Sequence, residues 1–88
     1  MPRYIIERDV PDIADADLGA VAAKSMAVIA QMEGLVWIKS YVSHVDGKIY
    51  CEYDAPNPEA LREHARRAGL PCNHISEIAL EINPDMFQ

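Results

Sequence analysis

Two rhythms of apolar residues alternate along the chain, one of period two and one of period three to four. Proline, glycine and aspartate mark the changes between them. The first run, Arg3-Tyr-Ile-Ile-Glu-Arg8, is rich in β-formers and stops before Pro11, so it predicts a strand. Asp15 or Asp17 can then cap a helix whose apolar stripe is Leu18, Val21, Ala22, Ser25, Val28, Ile29 and Met32. Gly34 follows, at a place where helices commonly end in a left-handed turn. Val36–Val45 and Lys48–Ala55 are two strand-like runs separated by Asp46-Gly47, a dipeptide that favours a two-residue hairpin turn. Asn57-Pro58-Glu59 opens a second helix, with Asn57 as cap and Pro58 at the first helical position. That helix carries Ala60, Leu61, His64, Ala65 and Ala68 on one stripe and ends at Gly69. Ile75–Ile82 supply a last strand, with Ser76, Ile78, Leu80 and Ile82 on one side.

The resulting order is strand, helix, strand, strand, helix, strand in a single domain spanning residues 1–88. Right-handed crossovers place both helices on one face of a four-stranded antiparallel sheet, the ferredoxin-like α+β arrangement found in dimeric α/β-barrel proteins.

A two-residue turn would set Val45 opposite Lys48, and side-chain alternation would then divide the hairpin into two faces. Val36, Ile38, Ser40, Val42, His44, Ile49, Cys51, Tyr53 and Ala55 form the more apolar set, expected beneath the helices. Trp37, Lys39, Tyr41, Ser43, Lys48, Tyr50, Glu52 and Asp54 form the other, which is expected to be open. Aromatic rings mixed with charges suit an interface or a ligand cleft, although cross-strand pairing of rings can also serve only the hairpin. Trp37, Tyr41 and Tyr50, with Tyr53 on the inner face, are therefore the candidate dimer-face or ligand-cleft residues. The expected partner is a second copy meeting this one through the open sheet face.

Composition narrows the classes. Fourteen acidic residues against eight basic ones leave a net charge of -6, which disfavours nucleic acid as a partner. The local excess at Arg62, Arg66 and Arg67 reads as a solvated helix face. No stretch has the pattern of a secretion signal or the apolar length of a membrane span, so the expected compartment is the cytoplasm. Cys51 and Cys72 are expected there as free thiols.

His64 is the most suggestive residue for chemistry, because it interrupts an apolar helix stripe. Its ring can be a core histidine satisfied by Ser40, Tyr53 or a backbone carbonyl, or it can be a ligand or general base. Cys51 and Tyr53 point to the same side of the sheet. Among the donors His44, Cys51, Glu52, His64, Cys72 and His74, the candidate metal set is His64, Cys51 and Glu52. Imidazole, thiolate and carboxylate suit nickel, zinc or copper more than magnesium or calcium. No nucleophile elbow, phosphate loop or diagnostic metal spacing is present.

Trp37-Ile-Lys-Ser-Tyr-Val42, Asp46-Gly-Lys-Ile-Tyr-Cys-Glu-Tyr53, Ala55-Pro56, His64-Ala65 and Ala68-Gly-Leu-Pro71 resemble a family of small bacterial proteins described as nickel-binding-protein-like, formerly a domain of unknown function. The resemblance runs from Tyr4 and Glu7-Arg8 to Ile78. It implies a ferredoxin-like dimer and a divalent transition metal, nickel first. The contrasting reading is a dimeric α/β-barrel enzyme, such as a cofactor-independent monooxygenase or isomerase. Its cleft, lined by Cys51, Tyr53 and His64, would hold a small apolar substrate. A plain self-binding module is the third reading.

Overall fold

The structure, a computed structural model, describes residues 1–88. Its strands are β1 (Arg3–Asp9), β2 (Val36–Ser43), β3 (Lys48–Asp54) and β4 (His74–Ile78), with helices α1 (Leu18–Ile29) and α2 (Pro58–Ala68). Single 3₁₀ turns occur at Ile13–Asp15 and Pro84–Phe87. The strands lie in the order β2-β3-β1-β4, all neighbours antiparallel, so β3 and β1 are the inner strands and β2 and β4 are the edges. This is the ferredoxin-like α+β fold.

Helix α2 forms as its sequence dictates. Asn57 Oδ1 accepts a hydrogen bond from the Ala60 N–H at 2.9 Å, Pro58 follows, and Gly69 closes the helix at φ +69°. Leu61, His64, Ala65 and Ala68 are its buried stripe. In α1 the cap is Asp17, whose Oδ1 accepts from the Ala20 N–H at 3.0 Å. That helix ends at Ile29, so Met32 lies beyond it, and the left-handed Gly34 (φ +76°) belongs to the turn into β2 rather than to a helix cap.

The hairpin forms, but not with a two-residue turn. Its loop is His44–Gly47, and Ser43 rather than Val45 lies opposite Lys48. A type I′ turn needs positive φ at both central residues, and here only Gly47 has it. The Ser43 hydroxyl accepts from the Asp46 N–H at 3.2 Å, and the Val10 N–H donates to the Gly47 carbonyl at 2.7 Å, anchoring the turn to the end of β1.

This shift moves each pairing by two residues, which leaves the division into faces intact between Lys39 and Ser43. A bulge at Ile38 then changes it, since Trp37 pairs with Tyr53 while Lys39 pairs with Glu52. Paired with Tyr53, Trp37 lies on the helix side with Ser40, Cys51 and Tyr53, and the extra residue Ile38 absorbs the change of register before Lys39. The expectation that Trp37 shares the open face with Tyr41 and Tyr50 is corrected accordingly.

Strand β4 is also shorter than its apolar pattern suggests. Ile78 pairs with Arg3, the first residue of β1, so the ladder has no partner strand beyond that point. Leu80 and Ile82 are consequently exposed, as are Met86 and Phe87. The core lies between the sheet and the helices and comprises Tyr4, Ile6, Leu35, Cys51, Tyr53, Ala55 and Leu61.

Candidate functional site

Alternation along β1 sends Tyr4, Ile6 and Arg8 to the helix side. Because β1 is an inner strand, Arg8 is carried into the interior and is only 1% exposed. Its Nη1 donates to the Pro71 carbonyl at 2.6 Å and its Nε donates to Cys51 Sγ at 3.4 Å. Nη2 has no partner, and no carboxylate lies within ion-pair distance. Arginine does not shed its proton in proteins, so a full positive charge is held in the core.

His64 is fully buried on α2. Its Nε2 shares a hydrogen bond with the Ser25 hydroxyl of α1 at 3.0 Å, its Nδ1 is unpartnered, and its ring stands 5.5 Å from that of Tyr53. Burial lowers the His64 pKa, the Arg8 charge lowers it further, and the Ser25 contact offsets part of this. The imidazole is therefore neutral near pH 7. Burial raises the Tyr53 phenol above its usual value, against the opposing pull of Ser25 and Arg8. Arg8, Ser25, Tyr53 and His64 thus form a neutral-plus-cation interior with no anion in it.

Between α1 and the sheet lies a cleft of about 170 Å³. Leu18, Val21 and Ala22 wall it on the helix side, and Trp37, Val42 and Ile49 on the sheet. Arg8, Ser25, Ser40, Cys51 and Tyr53 complete the lining, but almost all of the cleft surface is apolar and their polar atoms lie behind it. The Trp37 indole N–H donates to Ser40 Oγ at 2.9 Å, which fixes the ring as one wall.

The opposite face of the sheet has no helix over it. Arg3 pairs with Glu52 at 3.3 Å and with Asp54 at 3.0 Å, while Lys48 bridges Glu7 and Asp9. Tyr41 lies opposite Tyr50, and Glu7 lies opposite His74. Lys39 stands 5.7 Å from the centre of the Tyr41 ring. Edge strand β2 also leaves Val36, Ile38, Tyr41 and Val42 exposed.

The family model described as "Nickel responsive protein SCO4226-like" matches residues 4–78. The chain belongs to this family. The crystal structure of SCO4226 from Streptomyces coelicolor A3(2) matches with a TM-score of 0.79 at 23% identity, covering 91% of this chain and 99% of that one. At that identity the likeness shows the shared fold. No curated protein matches significantly.

In this SCO4226-like chain the aromatic candidates fall on two faces: Trp37 and Tyr53 line the cleft, and Tyr41 and Tyr50 lie on the open sheet. The donors His64, Cys51 and Glu52 are not brought together either. His64 and Cys51 lie on the helix side, whereas Glu52 points through the other face to Arg3. No three His, Cys, Asp or Glu side chains group closely enough to hold a metal ion within one chain. The buried pair is also poor company for a dication, because the Arg8 guanidinium touches Cys51 and already lowers the proton affinity of His64. The interior set therefore does not fit a metal. His74 and Glu7, neighbours across β1 and β4 on the open face, are donors of suitable type within reach of solvent.

Arg8 and Ser25 escape a motif search. Parity with Tyr4 and Ile6 marks Arg8 as inward-facing, and the helical stripe through Val21, Ala22 and Val28 does the same for Ser25.

Proposed function

We propose that this chain is a self-pairing, metal-responsive protein that takes nickel, or another divalent transition metal, on its open sheet face. The observation that carries the proposal is the placement of donors in a chain of the nickel-responsive family. The buried His64 and Cys51 sit against a fixed cation, whereas His74 and Glu7 are adjacent on an uncovered surface, where the Lys48 amine that pairs with Glu7 is solvent-accessible on a flexible stem and can yield to a metal. Two donors make a weak site, and a second copy brings the same two again. The open face supports self-pairing through Tyr41, Tyr50 and its ladder of alternating charges. So does the exposed apolar edge of β2, since a bare edge strand invites pairing.

Equilibrium dialysis with nickel, zinc and copper, combined with light scattering, tests this. Wild type is expected to bind nickel with Kd below about 1 mM, the weak end of specific affinity, and to scatter as a dimer. His74→Ala is expected to lose nickel binding while His64→Ala keeps it. A monomeric wild type that binds no nickel would end the proposal.

The enzyme reading has one specific observation in its favour, the cleft beneath α1. His64 does not line it, so catalysis there would rest on Cys51 and Tyr53.

A further inference from the structure

Of the seven other Lys and Arg residues, Arg3, Lys48, Arg62, Arg66 and Arg67 lie within ion-pair distance of carboxylates, and Lys24 and Lys39 are exposed to water. The buried cation has neither. Arg8 is held by a carbonyl and a thiol, with Nη2 left over, in a chain carrying 14 acidic residues, none of which lines the cleft. A buried charge without a counter-ion calls for one from outside the chain.

We infer that the cleft between α1 and the sheet binds a small apolar monocarboxylate whose carboxylate pairs with Arg8. This site is separate from the proposed metal site on the open face and does not depend on it. Arg8 provides the charge, and its unpartnered Nη2 is buried, so the carboxylate reaches this donor by entering behind the apolar surface of the cleft. Ser40 accepts from Trp37, so its own O–H is free to donate, and Ser25, whose hydroxyl is shared with His64, and Tyr53 are also cleft residues. The walls are otherwise apolar, and about 170 Å³ of space compares with the ~150 Å³ cavity that takes up benzene. A single ring or a short alkyl chain fits that room. The one unpaired guanidinium nitrogen favours a singly charged head over a phosphate dianion, which needs more donors.

Trp37 is the only tryptophan and forms one wall, so its emission reports occupancy directly. Metal-free protein is titrated with benzoate and hexanoate, with benzyl alcohol and 1-hexanol as neutral counterparts, and with acetate as a head without a tail. Both acids are expected to saturate the Trp37 signal with Kd at least about tenfold below the matched alcohols, equivalent to ~1.4 kcal/mol. Acetate is expected to bind more weakly than either acid. Arg8→Met is expected to abolish the preference for acids, and Ala22→Phe, which fills the cleft but leaves Arg8, to weaken every ligand. Absence of saturation by either acid, or equal affinity of acid and alcohol in wild type, overturns the inference whether or not the variants fold. An unchanged acid preference in folded Arg8→Met overturns it as well. Because no metal is present, failure here leaves the nickel proposal standing.

Discussion

Replacing Arg8 with methionine probes what the buried charge does for the fold. Methionine matches the stem in length and is apolar, so the space stays filled while the charge is removed. The variant loses the charged hydrogen bond to the Pro71 carbonyl at 2.6 Å, a bond of a kind that contributes about 1.5–3 kcal/mol. Pro71 itself is exposed, so water can take over its carbonyl. The contact with Cys51 Sγ at 3.4 Å is weak. Against these losses stands relief of the desolvation of an unpaired guanidinium, which amounts to several kcal/mol even after relaxation. Arg8→Met is therefore expected to be more stable than wild type by about 1–3 kcal/mol, or roughly 4–8 °C in Tm for each kcal/mol in a domain of this size. Urea unfolding followed by Trp37 emission and circular dichroism measures it, with an unchanged slope against urea confirming that the native and unfolded states are otherwise alike. Saturating hexanoate should raise the Tm of wild type and leave that of Arg8→Met in place. Destabilisation of the variant by about 2 kcal/mol or more, the range for a broken structural network, would refute the reasoning. Arg8 would then be a satisfied part of the core rather than a group awaiting a ligand.

Two further perturbations address other parts of the structure. His64 is held below its usual pKa when folded, so as pH falls through about 6.5 the unfolded chain takes up the proton first and stability declines. Urea unfolding from pH 7.5 to 5.5 is expected to show this decline in wild type and a shallower one in His64→Gln; identical slopes would contradict the assignment. Ile38 is the unpaired residue of the β2 bulge, so deleting it leaves Trp37 opposite Tyr53 and Lys39 opposite Glu52. The deletion is expected to cost no more than about 1.5 kcal/mol and to leave Trp37 emission unshifted. A red shift to the emission of a solvated indole would show that the bulge, rather than the strand on either side of it, places the ring.

What could be read in advance was whatever local chemistry decides. Helix α2 is written out in full by Asn57, Pro58 and Gly69, and the strand–helix alternation leads to the observed sheet order. The bulge and the turn were hidden because tertiary contacts set them. Gly47 binds back to Val10, and the indole of Trp37 gains burial and the Ser40 hydroxyl only by turning inward. The end of β4 was hidden for a related reason: Ile75–Ile82 looks like one strand, but its length is decided by where β1 begins. Of the candidate residues, Cys51, Tyr53 and His64 are inward-facing, as parity and helical spacing indicate, and Glu52 is separated from them by that same parity. Arg8 was legible in principle. Its significance depends on the absence of a carboxylate around it, which requires the packed structure to see.

Metal is expected on the outer face of the sheet, and an organic anion in the interior around Arg8. Anomalous diffraction at the nickel edge, from crystals of the wild-type chain soaked in nickel, tests that division most directly. A peak against His74 and Glu7, with none beside His64 or Cys51, is the predicted result. A peak between His64 and Cys51 would contradict it, because a dication would then be seated next to the guanidinium whose charge should exclude it.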